Sequence, residues 1–265
     1  MAFRQCFMDG NNLNMKNFDG LAINSYQNMT QISYAQHDED LEIMKLFKFK
    51  ASGYYVEVGA NDGKTNSNTA LLEEKGWKGL LIEANPDLID SCVESRPNSI
   101  VVNYAVVAPD NVGNVDFYKV VGGPGSLDGL STTVGSENFT EMINRYGGEV
   151  QKISVPATTL DELLKRYNSP LEFELLSIDV EGAEMEVLRG FSIAHFKPKI
   201  VIVEDNSHGE NTTVANYLRQ YGYIRVHRTG VNDWYVCPQD ADYFRVKRVI
   251  LNLRLLKWWL KRHLV

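Results

Sequence analysis

The chain has 265 residues, 44% hydrophobic and 23% charged, with a net charge of −7. That length holds one large α/β domain, or one domain with a small appendage. The acidic balance argues against a general nucleic-acid binder, which needs a basic surface to neutralise phosphates.

Cys6, Cys92 and Cys237 lie far apart and form no Cys-x-x-Cys pair. This spacing suggests neither a zinc site nor a disulfide framework, and fits a reducing, cytoplasmic setting. Residues 1–30 contain no apolar signal-peptide core, and no apolar run reaches membrane-spanning length. Residues 1–32 read as a loosely structured lead-in, with Asp9-Gly10-Asn11-Asn12 as a turn. From Ser33 or Asp38 a capped helix is expected, with Leu41, Met44 and Phe47 on its apolar face. Asp38 and Glu39 read as ordinary helix-start acids.

Tyr54 to Val58 then reads as a buried strand running into the turn Gly59-Ala60-Asn61-Asp62-Gly63. A helix follows at about 67–75, and a second strand, Gly79 to Ile82, ends on Glu83. This is half of a nucleotide-binding α/β unit. The dinucleotide fingerprint is incomplete, because Asn61 replaces its middle glycine. Glu57 and Asp62 would repel a diphosphate but suit a ligand carrying an ammonium and a sulfonium. S-adenosylmethionine (SAM) is such a ligand, and Glu83 stands where a carboxylate accepts ribose hydroxyls.

Beyond Glu83, Pro86 opens a helix to about Ser95. Residues 99–107 form a third strand, and Val115 to Val120 and Glu149 to Val155 are two more. Between these two lies an insertion, about 122–148, holding seven of the 20 glycines. Loops of this length are usually functional lids or disordered, and Phe139 and Tyr146 are candidates for stacking on a sugar face or for core packing. A capped helix at Thr159, buried strands at Phe173 to Asp179 and Lys199 to Glu204, two further helices and a hairpin through Thr229-Gly230 complete the domain. The expected architecture is a doubly wound, mostly parallel α/β sheet with an antiparallel edge, over residues 33–240.

Ligands bind open α/β sheets at the carboxyl ends of the strands. Glu57, Glu83, Asp179 and Glu204-Asp205 all sit at such ends. For methyl transfer the site must align an acceptor and remove one proton. Asp179, Glu181, Glu204 and His208 are the candidate catalytic residues. Asp179, Glu204 and Asp205 are also candidate oxygen ligands for Mg²⁺ or Mn²⁺. Glu184 reads as a helix N-terminal charge.

Glu57-Val-Gly-Ala-Asn-Asp-Gly63, Gly76-Trp77-Lys-Gly79-Leu-Leu-Ile-Glu83-Ala-Asn85-Pro86 and Leu176-Ser-Ile-Asp179-Val-Glu181-Gly182-Ala-Glu184 occur in order. With them the chain resembles the FkbM-type SAM-dependent methyltransferases, from about Ser33 to Glu204. The resemblance implies a class I, Rossmann-like methyltransferase with a seven-stranded sheet. It also implies O-methylation, commonly of hydroxyls on sugars or polyketides. By this likeness Gly59, Asn61 and Asp62 line the SAM site with Glu83 on the ribose. Gln36 and Asn68 contribute, and Asp179 and Glu181 face the reaction centre. The acceptor expected is a sugar of a glycan or glycoconjugate, with a polyketide or other small-molecule hydroxyl as the alternative. A nicotinamide oxidoreductase is disfavoured by the acidic turn. A non-catalytic SAM-binding assembly or membrane-recruitment module is disfavoured by the acids at four strand ends.

Residues 245–265 carry seven Lys/Arg and no acid. Val246, Val249, Ile250, Leu253, Leu256 and Leu260 recur at helical spacing. The segment reads as a basic amphipathic helix that packs on the domain, meets a second subunit in a homodimer, or lies on an anionic membrane surface.

Overall fold

The computed structural model describes residues 32–123, 127–207 and 209–263. All but the last residue of the expected lead-in fall outside these, as does His208. A helix α1 (Glu39–Leu46) leads into β1 (Tyr54–Val58), α2 (Ala70–Glu74) and β2 (Lys78–Glu83). A single 3-10 turn at Pro86–Leu88 precedes α3 (Ile89–Ser95) and β3 (Ile100–Asn103). Asn85 caps that turn by accepting from the Asp87 N–H, and proline supplies its first position.

Next come β4 (Ala105–Val106), β5 (Gly113–Val121), α4 (Glu137–Arg145), β6 (Glu149–Thr158) and α5 (Leu160–Arg166). The chain continues through β7 (Glu172–Ile178), α6 (Glu184–Arg189), β8 (Lys197–Glu204), α7 (Thr213–Gln220), β9 (Ile224–Thr229), β10 (Asn232–Val236) and α8 (Arg245–His263). The main sheet has seven strands in the order β3-β2-β1-β7-β8-β10-β9. β1, β2, β3, β7 and β8 pair in parallel, and β10 runs antiparallel to both β8 and β9.

Strand alternation sends side chains to two separate layers. Val56, Leu80, Leu176 and Val201 face Leu160, Leu163, Val187 and Leu218 from α5, α6 and α7. On the opposite face Tyr55, Leu81, Leu175 and Ile202 meet Ile43, Met44, Leu71, Leu72 and Phe244. Each fully buried aliphatic side chain contributes about 1.5–3 kcal/mol. The β-branched runs are buried on both faces, as parallel strands covered by helices require.

The glycine-rich insertion is built differently from a bare lid. β5 and β6 form a long antiparallel pair, and β4 joins β6 in a separate three-stranded sheet. Within the connection, α4 starts at Ser136, whose side chain accepts from the Phe139 N–H. Tyr118 and Thr132 exchange backbone hydrogen bonds at 2.8 and 3.2 Å, which folds residues 129–133 back over the carboxyl ends of the main sheet. Tyr146 is 61% exposed, and neither it nor Phe139 lines the cavity described below. Neither is placed to stack on a ligand there, and the insertion instead contributes Ser131, Thr132 and Thr133 to the lining.

α8 docks through Leu251 and through an ion pair between Lys247 and Glu42. One face of it stays uncovered, with Val246 at 70% and Leu253 at 60% exposure beside exposed Val249 and Ile250. Among the described residues no helix is long and apolar enough to cross a membrane.

Candidate active site

A cavity of about 380 Å³ opens at the carboxyl ends of β1, β2, β7 and β8. Its floor is the turn after β1. Gly59, at φ 86°, donates its N–H to the Ile82 carbonyl at 2.9 Å. A Cβ at Gly59 would lie 1.6 Å from the Asp179 carbonyl oxygen, so only glycine lets this turn rest on the end of β7. Asn61 and Gly63 also take positive φ, at 51° and 78°.

Glu83 ties the turn to β2. One carboxylate oxygen accepts the Asn61 N–H at 2.7 Å and the other the Asn85 N–H at 2.7 Å. Burial nevertheless pushes its pKa up, opposed by those backbone donors. Beneath the turn lies Arg96, 2% exposed. It donates to the Gly63 carbonyl at 2.8 Å, to Glu73 at 3.0 Å, to Tyr55 at 2.6 Å and to Glu57 at 3.4 Å. Glu57 also accepts from Ser67 at 3.0 Å and Thr69 at 2.6 Å.

Of the residues expected to hold the cofactor, Gln36, Glu57, Gly59, Asn61, Asn68, Glu83 and Asp179 line this cavity. Asp62 does not. Its carboxylate accepts from the Lys64 and Thr65 N–H groups and the Thr65 hydroxyl, at 2.6–2.8 Å, as a local turn brace. Glu57 touches the cavity, but its bonds to Ser67, Thr69 and Arg96 make it a prop for the turn rather than a free ligand.

The opposite wall is acidic. Asp179, Glu181 and Glu204 bring one oxygen each to within 4.8 Å of one another. Asp179 opens to the cavity while protein encloses its other sides. Burial raises its pKa well above the ordinary value, and the nearby Glu204 and Glu181 charges raise it further. Glu181 is pushed up to about 8, by burial first and then by Glu204 and Glu184. Glu204 is raised too, chiefly by burial.

Glu181 reaches the cavity by an unusual route. Its backbone is left-handed, at φ 52°, and Thr132 of the insertion donates to its carbonyl at 2.9 Å. A bulky side chain at positive φ is strained, and such residues cluster at functional sites. Glu184 braces the same turn by accepting the Gly182 N–H at 2.8 Å. Asp205 departs from the expected metal trio. It turns from the cavity to accept from Arg228 at 3.0 Å and from the Ser207 and Gly209 N–H groups at 2.9 Å. The trio that the fold brings together therefore contains Glu181 in place of Asp205.

Two further residues carry no signal in the sequence. Asn232, at the start of β10, pairs in register with Glu204 and lines the cavity. Its amide Nδ2 donates at 2.9 Å to Glu39, which is fully buried and also accepts from Thr229 at 2.8 Å. Glu39 is thus a buried brace across 193 residues, not a solvated helix-start charge. Within the described residues, Glu204 Oε2 and Asn232 Oδ1 are buried without a hydrogen-bond partner. Buried acceptors of this kind ordinarily have one.

The profile of the methyltransferase FkbM domain matches residues 57–225. The chain belongs to the FkbM methyltransferase family. The FkbM match runs from the strand holding Glu57 to the first part of β9, so Glu39 and Asn232 lie outside it. The chain is similar to Methyltransferase 1 of Beauveria bassiana (strain ARSEF 2860), with 27% identity over 133 residues. That match covers 48% of this chain and 51% of the other, so the chain spans about half the length of this relative. Among solved structures, a TehB-like SAM-dependent methyltransferase from Corynebacterium glutamicum is 10% identical, with a TM-score of 0.36 over 75% of this chain and 84% of that one. The precorrin-6y C5,15-methyltransferase of Geobacter metallireducens is 8% identical, with a TM-score of 0.40 over 78% and 91%. These two likenesses are faint. Family membership makes methyl transfer, with SAM as donor, the chemistry of this FkbM domain.

Proposed function

We propose that the protein is an O-methyltransferase that binds SAM in the cavity between Gly59 and Glu83 and methylates a hydroxyl, on a sugar of a glycan or glycoconjugate. One observation carries the reading. The cavity is lined by Glu57, Glu83, Asp179, Glu181 and Glu204, and its described lining contains no Lys or Arg. Such a wall suits a cationic ligand and repels a diphosphate. The carboxylate of Glu83 has lone pairs beyond those taken by Asn61 and Asn85.

When bound, SAM supplies a methyl on a sulfonium, open to in-line displacement. Gly59 and Asn61 present backbone to it, and Glu83 accepts its ribose hydroxyls. Asp179, Glu181 and Glu204 receive the acceptor hydroxyl and hold its proton. A carboxylate with a raised pKa is a stronger base than an ordinary one, and a positioned base contributes roughly 10²–10⁴-fold. Ser131, Thr132, Thr133, Asn206 and Asn232 make the remaining wall polar, which favours a hydroxyl-rich acceptor over an apolar polyketide.

Isothermal titration with SAM and S-adenosylhomocysteine tests the cofactor half; micromolar binding of both is expected. A glycan panel with methyl-labelled SAM tests the acceptor half, with the product identified by NMR as an O-methyl ether. Binding of neither cofactor form overturns the first half, and methyl found only on nitrogen overturns the second.

The uncovered face of α8 supports a second property, contact with an anionic membrane. Val246, Val249, Ile250 and Leu253 are exposed together, in a segment with Lys and Arg but no acid. Co-sedimentation with phosphatidylserine vesicles should fall sharply when Val249 and Leu253 are both changed to Ser. Equal binding by parent and variant removes this property, and a parent that dimerises through the face instead assigns it to a second copy.

A further inference from the structure

The acidic wall raises a charge problem that the proposed methyl transfer leaves open. Asp179, Glu181 and Glu204 converge within 4.8 Å, and no Lys or Arg pairs with any of them among the described ion pairs. The contrast with the neighbouring acids is sharp. Asp205 and Asp233 have Arg228 and Arg225, at 2.8–3.0 Å, and Glu57 and Glu73 have Arg96. Three like charges at this spacing are unfavourable unless protons or a cation sit among them.

Asn232 supplies an independent observation. It is 5% exposed and its Oδ1 has no partner. The orientation of the amide follows from Glu39: a carboxylate only accepts, so the NH₂ end must face it and the carbonyl end must face away. Directly opposed residues on neighbouring antiparallel strands project to the same face about 5 Å apart. Asn232 is the register partner of Glu204, and both line the cavity. Glu204 is held in the same manner: Oε1 accepts the Asn206 amide at 2.9 Å, and Oε2 is left bare. Two buried acceptors on adjacent strands thus lie beside two more carboxylates, and the one amide donor among the four side chains, that of Asn232, is taken by Glu39.

We infer that Asp179, Glu181, Glu204 and the Oδ1 of Asn232 form a binding centre for a hard divalent cation of the Mg²⁺ or Mn²⁺ class, with Glu39 as its positioning residue. All four ligand atoms are oxygens, the set such cations prefer, and the open cavity leaves positions for water or substrate oxygen. Two positive charges offset most of three carboxylates; a ligand ammonium offsets one. The left-handed turn at Glu181, held by Thr132, then has a reason: it brings a third carboxylate to the centre where Asp205 turns away. The inference rests on the proposed reading of the cavity and narrows it. A cation there would hold the acceptor hydroxyl beside the sulfonium and favour an acceptor with a second oxygen adjacent, such as a vicinal diol.

The test uses the full chain, stripped with EDTA and free of SAM, with Mn²⁺ as the probe and electron paramagnetic resonance as the readout. Loss of the free aquo-ion signal at about one Mn²⁺ per chain, reversed by excess Mg²⁺, is the expected result. Glu204→Gln should abolish uptake. Glu39→Gln, which touches no cation but frees the Asn232 amide to turn over, should weaken it about 10-fold, the loss typical of a residue that orients a ligand. Asn232→Ala, which removes the oxygen and leaves the three acids in place, should weaken uptake at least as much as Glu39→Gln. Thermal melting in EDTA verifies that each variant is folded. Uptake absent at millimolar Mn²⁺ in a folded parent overturns the inference, as does uptake unchanged in Glu204→Gln. SAM titration of the same metal-free parent stands apart: Mn²⁺ uptake without SAM binding would sink the cofactor reading and keep the cation centre, and the reverse result would do the opposite.

Discussion

Two groups of acids, one beneath the turn after β1 and one on the cavity wall, are treated in opposite ways. Glu57 and Glu73 are saturated: Arg96, Ser67, Thr69, Tyr55 and Ser99 supply donors to them. Asp179, Glu181 and Glu204 have few donors and no cation, and their pKa values move upward. Glu73, by contrast, is held below the ordinary value despite the opposing effect of burial, through bonds from Ser99, Tyr55, Asn98 and Arg96. A buried carboxylate with all its partners belongs to the scaffold. A carboxylate left without them stays open to a ligand.

The contrast is tested most severely at Arg96. Arg96→Met leaves Glu57 and Glu73 as unpaired buried charges and should destabilise the fold by about 3–5 kcal/mol in urea denaturation. An unmoved midpoint would erase the distinction between the two groups. Asp179→Asn should act the other way round. Methyl transfer should fall by at least about 100-fold, while the melting temperature stays level or rises because a repelling charge has gone. A variant that melts well below the parent would place Asp179 with the scaffold acids.

Glu83 lies between the two classes, buried and bonded but open to the cavity. Glu83→Gln should weaken SAM by roughly 10-fold, the scale of one charged hydrogen bond, read by titration calorimetry. An unchanged affinity would make Glu83 purely a brace for Asn61 and Asn85. The smallest effect is in pH. Because the folded pKa of Glu73 is depressed, its contribution is complete above the ordinary Glu value of 4.5 and is lost as pH falls through the lower folded value. Urea midpoints should therefore decline below pH 4.5, and Glu73→Gln should flatten that decline.

The turn side of the cavity was legible in the sequence because its geometry is local. A strand, a glycine that must approach another backbone, and an acid ending the next strand fall within about thirty residues, and Gly59, Asn61 and Glu83 meet as expected. Asp62 misled for an equally local reason, since an acid two or three residues before Lys64 and Thr65 closes an Asx turn. On the acid side, Asp179 and Glu204 were readable as strand ends. Choosing Glu181 over Asp205 was not, because it turns on a left-handed backbone at Glu181 and on Arg228 reaching Asp205 from another strand. Glu39 and Asn232 were beyond reach: nothing near either residue hints at a partner 193 positions away. Phe139 and Tyr146 were drawn in by type, while the structure puts Thr132 over the site through a backbone bridge that side-chain chemistry does not announce.

The position of β10 has a consequence for how this protein comes into being. β10 lies between β8 and β9, although β9 precedes it in the chain. β9 therefore has no partner in the main sheet other than β10, and the sheet cannot extend past β8 without the residues after Gly230. Asn232 is among the first of these, and its arrival both closes the gap in the sheet and delivers the last oxygen to the cavity wall. The pairing of β10 with β8 and the completion of the acidic wall are therefore one and the same step in the assembly of the sheet.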